Sequence, residues 1–396
     1  MKKLVLLILL TLLTITAFCQ TETETIKKAN DLIANKKYES AFKLLDSFDK
    51  KNEKPDIVLL KEDILLNYFV SSLMHEMFAL KDLKMNETVE DYRGKEGQYA
   101  MFRFDADTII GDLMKTHPQN GKLYNGLGNF YYEVQTKYSG NWLKDDKELF
   151  RLIEVNDKKA IETNCADFMT YFVMGYVNIA QEKYKEAIPY FLKSIELNKD
   201  YAGSYYNVAY AYMYIDDREN ALKNAKISLD LYTDISFKGD AARMLGQIYS
   251  EMKDNKNALL NYELSDKIDP DNYYTIKPIL DLYLKTGNLK TITLRNSFFK
   301  LGPGKPTIYN DLEEIYSTYS KQDELIAFYK EKLPEYKDDA KVLGNLNFYL
   351  GRIYLDKDKK EAKAYFLKAK DILSKVYAKD HAVFNAIQDG IDLSEK

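Results

Sequence analysis

Small and large apolar residues recur along this chain with a period near 34. From Phe168 to Tyr201, the eighth, twentieth and twenty-seventh positions are Gly175, Ala187 and Ser194. From Ala202 to Ile235 the same places hold Ala209, Ala221 and Ser228, and from Gly239 to Asn272 they hold Gly246, Ala258 and Ser265. The third unit is offset by 37 residues, which places an insertion of three at 236–238. Large residues stand beside the small ones: Met174, Val208 and Leu245 at the seventh position, Tyr212 and Tyr249 at the eleventh, Phe191 and Tyr262 at the twenty-fourth. The pattern predicts two antiparallel helices per unit, with small side chains where the helices cross and backbones must approach. Pro270 marks a helix stop near the end of the third unit.

This arrangement resembles the tetratricopeptide repeat. The resemblance implies an all-α, right-handed superhelical solenoid of antiparallel helix pairs. It also implies that the first helix of each unit forms the concave surface, at positions 2, 5, 9, 12 and 13. In the three units these are Met169, Phe172, Tyr176, Ile179 and Ala180; Gly203, Tyr206, Tyr210, Met213 and Tyr214; and Asp240, Arg243, Gln247, Ser250 and Glu251. By resemblance, then, the partner groove is Phe172, Tyr176, Tyr206, Tyr210, Met213, Tyr214, Arg243 and Gln247, aromatic at one end and charged at the other. The competing reading is that these aromatics are covered by neighbouring helices. Asn207 alone fits the family's peptide-carboxylate clamp, with no matching lysines, so chaperone-tail binding is not supported.

Elsewhere the period is looser. Ala29, Tyr38, Ala41 and Leu45 mark a unit over 22–52; Leu127, Gly128 and Tyr131 mark a first helix over 121–131, followed by a loop inserted in YSGNWLKDDKELF. Leu282, Tyr283 and Gly287 fit over 273–300, with Ile292 where a small residue is expected. Leu312, Tyr316, Leu325 and Tyr329 fit over 306–336, and Leu350, Gly351, Tyr354, Ala362, Phe366 and Ala369 over 344–370. Helices are predicted at 24–35, 38–50 and, from its unbroken apolar run, 55–84. Residues 86–98 and Leu301–Pro306 are breaks, and 381–393 reads as a terminal capping helix. The organisation expected is a signal segment at 1–19, an N-terminal helical region at 20–120, a central array at 121–300 and C-terminal repeats at 305–396.

The first residues change the picture of where the chain works. Lys2 and Lys3 precede an apolar run from Leu4 to Phe18, and Ala17 and Cys19 are small residues at −3 and −1 of a cut before Gln20. This reads as an export signal of Gram-negative bacterial style, placing the chain in the periplasm or at the cell surface. The run is short for a membrane span, and none is expected in the mature chain. Cys165 is then the one remaining thiol, so packing must hold the fold. The net charge of −4, with no concentrated basic stripe, argues against nucleic acid.

No motif carries chemistry. Gly304-Lys305 with Thr307 lacks the earlier glycine of a phosphate loop, since Phe299 stands there. Gly126 and Gly128 lack the third glycine of a dinucleotide fingerprint. Asp356, Asp358 and Glu361 lack the central glycine of a calcium loop. Asp269 and Asp271 read as a turn and a helix cap. His75, His117 and His381 are far apart in sequence. The expectation is no catalytic residue, no metal, no small-molecule cofactor, and a protein or peptide partner held by a non-catalytic scaffold of the cell envelope. The alternative from another class is a carbohydrate-binding or carbohydrate-processing surface protein, compatible with the 33 tyrosines.

Overall fold

The computed structural model describes residues 21–73, 76–95, 97–138 and 144–396. The signal segment, His75 and residues 139–143 of the inserted loop therefore lie outside the described residues. The chain divides into two compact units, one ending at Asp216 and the other beginning at Asp217.

In the first unit, α1 (Glu22–Ala34) pairs with α2 (Tyr38–Phe48). Next come α3 (Pro55–Tyr68) and α4 (Ala106–Thr116), separated by a small sheet, then the pairs α5 (Gly121–Tyr138) with α6 (Asp146–Glu162) and α7 (Phe168–Ala180) with α8 (Tyr184–Leu197), and α9 (Ala202–Tyr214). The second unit holds α10 (Arg218–Leu231), α11 (Ile235–Glu251), α12 (Asn255–Ile268), α13 (Tyr273–Thr286) and α14 (Thr291–Lys300). It continues through α15 (Pro306–Thr318), α16 (Gln322–Glu335), α17 (Ala340–Tyr354), α18 (Lys359–Leu373) and α19 (Val383–Glu395). Stacked helix pairs of this kind are the all-α repeat architecture that the spacing predicts, and 168–272 contains no strand.

Local chemistry sets the helix ends. Asp105, Asp145, Asp167, Asp217, Asp254, Asp339 and Asp358 each accept from a backbone N–H of the first turn, which would otherwise be an orphan donor. Between the helices of a pair the chain turns through one left-handed residue: Lys36, Glu182, Lys253, Gly287 or Ser320. The N–H of the very next residue then reaches back, as in Lys183 N to Asn178 O at 2.8 Å and Asp254 N to Tyr249 O at 2.9 Å.

The small positions do what the spacing demands. A Cβ on Gly175 would lie 2.6 Å from the Phe191 ring, and one on Gly246 2.6 Å from Tyr262. The serine at position 27 is a stitch as well as a gap. Ser194 Oγ donates to Phe168 O at 2.8 Å and lies 2.7 Å from Ser204 Oγ. Ser265 repeats this with Gly239 O at 2.8 Å and Thr275 Oγ1 at 3.0 Å.

The expected helix over 55–84 is corrected. α3 stops at Tyr68, and β1 (Ser71–Leu73), β2 (Met77–Ala79) and β3 (Met101–Arg103) form an antiparallel sheet in the order β1-β2-β3, with Phe78 paired to Ser72 on one side and Phe102 on the other. Arg93 is the physical reason for the stop. Its Nε donates to Phe69 O at 3.1 Å, its Nη2 to Asn67 O at 3.3 Å, and its guanidinium lies 4.2 Å over the Phe69 ring. Carbonyls that would continue the helix are taken by a side chain from the polar break. Phe78 and Phe104 are buried, and Phe102 packs 4.8 Å from Phe42.

Candidate binding cleft on the first helices

α3, α5 and α7 stand side by side in the first unit, and a cleft of about 460 Å³ opens over them. From α3 it is lined by Leu59, Glu62, Asp63, Leu66 and Asn67, which recur every three or four residues and so share one helix face. From α5 come Lys122, Asn125, Gly126, Asn129 and Glu133; Asp167 and Met169 stand at the start of α7. With Gly128 as position 8, Lys122, Asn125, Asn129 and Glu133 occupy positions 2, 5, 9 and 13 of their unit.

Two neighbours on α3 show opposite treatment of buried charge. Lys61 is fully buried, and its Nζ donates to Asp46 Oδ1 at 3.0 Å, Asp49 O at 2.8 Å and Asn52 Oδ1 at 2.8 Å. Glu62 is 4% exposed, yet its Oε1 has no hydrogen-bond partner among the described residues. Burial, and secondarily the Asp63 charge, push the Glu62 carboxyl up to about 8. Asp63 is also raised by burial, opposed by a hydrogen bond from Asn67. Space for Glu62 comes from Gly126, where a Cβ would lie 2.9 Å from Glu62 Oε2 and 2.4 Å from Leu59 Cδ2.

The amides are ordered by a chain of donors. Asn125 Nδ2 donates to Cys165 O at 3.1 Å, so its Oδ1 is free to accept, and Asn129 Nδ2 donates to it at 2.9 Å. Asn129 Oδ1 is left buried with no partner. Lys122 Nζ is held by Asp56 Oδ1 at 3.1 Å.

The groove residues predicted from the three regular units are placed differently from one another. Phe172 is 4% exposed, with its ring 5.1 Å from Tyr201 and 5.8 Å from Phe191: it is core, not surface. Met213 is likewise buried. Tyr176 is half-buried against Tyr132 and donates to Gln135 Oε1 at 2.9 Å. Tyr206 and Tyr210 are half-buried, and Tyr214 is 55% exposed. Tyr214 stacks 4.3 Å from Tyr184 and accepts from the Tyr210 hydroxyl at 3.1 Å. In the second unit, Arg243 pairs with Asp240 at 2.6 Å under the Tyr274 ring, while Gln247 is exposed and donates to Glu251 at 3.4 Å. The sequence reading missed the α3/α5/α7 cleft. The signal was available on α5: the same positional rule applied to 121–131 gives Lys122, Asn125 and Asn129.

The other residues weighed from sequence serve as turns and caps. Asp358 accepts from Lys360 N and Glu361 N, Asn272 donates to Asp269 at 2.9 Å, and His381 stacks on Tyr377. Cys165 is half-buried beside Gly121.

A family model described as the tetratricopeptide repeat matches residues 170–201 and 244–272. Those two segments are tetratricopeptide repeats. Among solved structures, this repeat protein is similar to MamA, at 20% identity over 51% of this chain and 96% of that one, with a TM-score of 0.38. A tetratricopeptide repeat protein from Parabacteroides merdae shares 18% identity over 69% and 99%, TM-score 0.41, and Pseudomonas aeruginosa PilF shares 14% over 55% and 96%, TM-score 0.42. Superpositions this loose bear on neither partner nor site. No curated protein matches the sequence. The repeats support a protein-protein interaction scaffold, and no helix among the described residues is long and apolar enough to cross a membrane.

Proposed function

We propose that the chain is an exported, non-catalytic scaffold of the cell envelope. It seats an extended segment of a partner protein on its first helices, with the α3/α5/α7 cleft as the anchoring subsite. The observation that carries this reading is the cleft itself. Residues at four first-helix positions of α5 line it, and two of its lining residues, Glu62 and Asn129, each carry a buried acceptor without a partner among the described residues. A folded chain rarely leaves such groups unmatched unless something else matches them. Tyr214, exposed and stacked on Tyr184, extends the same unit's contact surface, since Tyr offers area at low entropy cost. Export rests on the Lys2-Lys3 start and the apolar run to Phe18.

A photo-crosslinking residue at Asn129, compared with one at Val155 on the exposed face of α6, tests the reading in the native cell. Asn129 is expected to capture a defined partner that Val155 does not. Equal recovery from both positions removes the cleft from the account. Cell fractionation with N-terminal sequencing tests export, the expected first residue being Gln20.

A further inference from the structure

The anchoring subsite is one-sided in its hydrogen bonding. Glu62 Oε1 and Asn129 Oδ1 are both buried and both unpartnered, and both can accept. The Asn129 orientation is not arbitrary. Cys165 O can only accept, so Asn125 must turn its amide nitrogen to it, and Asn129 must then donate to Asn125 Oδ1. These two acceptors therefore wait for donors that the cleft's lining cation, Lys122, gives to Asp56 instead. Its charge leans the same way: Asp63, Glu133 and Asp167 line it against Lys122, which Asp56 already holds, and Glu62 adds a further negative charge once it gives up its proton. Two of the acids are partly engaged, Glu133 with Lys137 and Asp167 with the Thr170 N–H and hydroxyl. Glu62 is engaged with nothing among the described residues. The carboxyls are spread along three helices, and among the described residues no three converge as metal ligands do. Leu59, Leu66 and Met169 add apolar wall, the surface against which a methylene stem packs while its charged head reaches a carboxylate.

We propose that this cleft takes the ammonium or guanidinium end of a Lys or Arg side chain presented by the partner segment, with Glu62 as its counter-ion and Asn129 Oδ1 as a second acceptor. The proposal rests on the reading of the cleft as an anchoring subsite. An ammonium brings three donors to two waiting acceptors, and a charged donor to a carboxylate makes the stronger class of hydrogen bond. Burial keeps a proton on the empty Glu62 near neutral pH, with Asp63 on its own helix, Lys122 and Glu133 on α5 and Asp167 at α7 facing it. A bound cation takes that proton's place. Lys61, three times satisfied one residue away, shows that this helix does not leave buried charge unmatched by necessity.

The test uses the full mature chain and an immobilised random hexapeptide library. Selected peptides are expected to be enriched in Lys or Arg at one position. Replacing that residue by norleucine or citrulline in the tightest binder is expected to weaken it at least tenfold. Glu62→Gln and Asn129→Leu should weaken the basic peptide by a similar factor and leave the norleucine peptide nearly unchanged, with helix content checked by circular dichroism. The norleucine arm needs no protein variant, so it decides the matter even if both variants unfold. A norleucine peptide that binds as well as the lysine peptide overturns the proposal, as does a library with no binder. If a non-basic peptide binds and still crosslinks from Asn129, the cation assignment falls while the scaffold reading stands. If the partner fails to crosslink from Asn129 as well, the scaffold reading falls too. Cadaverine and agmatine serve as free-amine competitors. Displacement by either at the peptide's own Kd assigns the site to a free amine and overturns the partner side chain.

Discussion

The pairs α7/α8 and α5/α6 cross at the same kind of place and fill it in opposite ways. In α7/α8, Gly175 receives the ring of Phe191, and Gly246 and Gly351 receive Tyr262 and Phe366 in the same manner. In α5/α6, Gly128 receives a carboxylate: a Cβ there would lie 2.0 Å from Asp157 Oδ1. Asp157 is fully buried, and neither oxygen has a partner among the described residues. Burial, then the charge of Asp167, raise its carboxyl well above the usual range. With Glu62 on the opposite side, α5 is flanked by two uncompensated acids. The regular pairs are built for cohesion, and α5 is built at its expense. Stability given up at one helix among many well-packed ones is a recognised mark of a working site.

That contrast can be broken most forcefully at the aromatic. Phe191→Ala removes a fully buried ring from a regular crossing and should cost about 3–5 kcal/mol by urea denaturation. Asp157→Ala, at the equivalent crossing, should cost far less or stabilise, because it removes an unsatisfied carboxyl. Similar losses for both would dissolve the distinction.

The next effect depends on pH. The Glu62 carboxyl is raised, so the native chain keeps a proton that the unfolded chain releases near the ordinary value of 4.5. Its contribution to stability is then present below that value and lost as pH climbs toward about 8. Glu62→Gln should match the parent near pH 4.5 and exceed it by a few kcal/mol, to order of magnitude, at pH 8.5. Urea midpoints at the two pH values decide it, and a pH-independent difference would mean that the side chain is solvated. Asp157→Asn should show the same sign over its own window.

The smallest effect lies in the turns. Lys253 sits at φ 61°, where Gly287 does the same work at φ 68°. Lys253→Gly should gain about 0.5–1 kcal/mol, read as a modest rise in Tm. A loss would show that the lysine side chain contributes more than its backbone strain costs.

How much of this could be read from the residues differs by element. The crossings at Gly175 and Gly246 were legible because a small residue opposite a large one, repeated at fixed spacing, has one geometric meaning. The sheet at 71–103 was not. Residues 69–80 are as apolar as a helix core, and the stop is imposed by Arg93, more than twenty residues downstream. The cleft was half legible. Lys122, Asn125 and Asn129 follow from the positional rule, but Glu62 lies in a charged stretch, KED, that reads as a solvated face. Its burial depends on Gly126, sixty-four residues away, and no local pattern announces such a partnership.

The serine stitches carry a consequence for chain length. Ser194 and Ser204 are ten residues apart, as are Ser265 and Thr275. Ten residues after Ser228 comes Lys238, and Ser228 bonds its own helix at Ala225 O instead. The link between consecutive pairs is thus measured out like a ruler. Dropping one residue between Ser194 and Ser204 would strand the Ser204 hydroxyl in a dry interior, at about 1–3 kcal/mol, while Ser194 keeps its bond to Phe168 O; the linker after Ser228, already off the rule, is where added or removed residues should be absorbed.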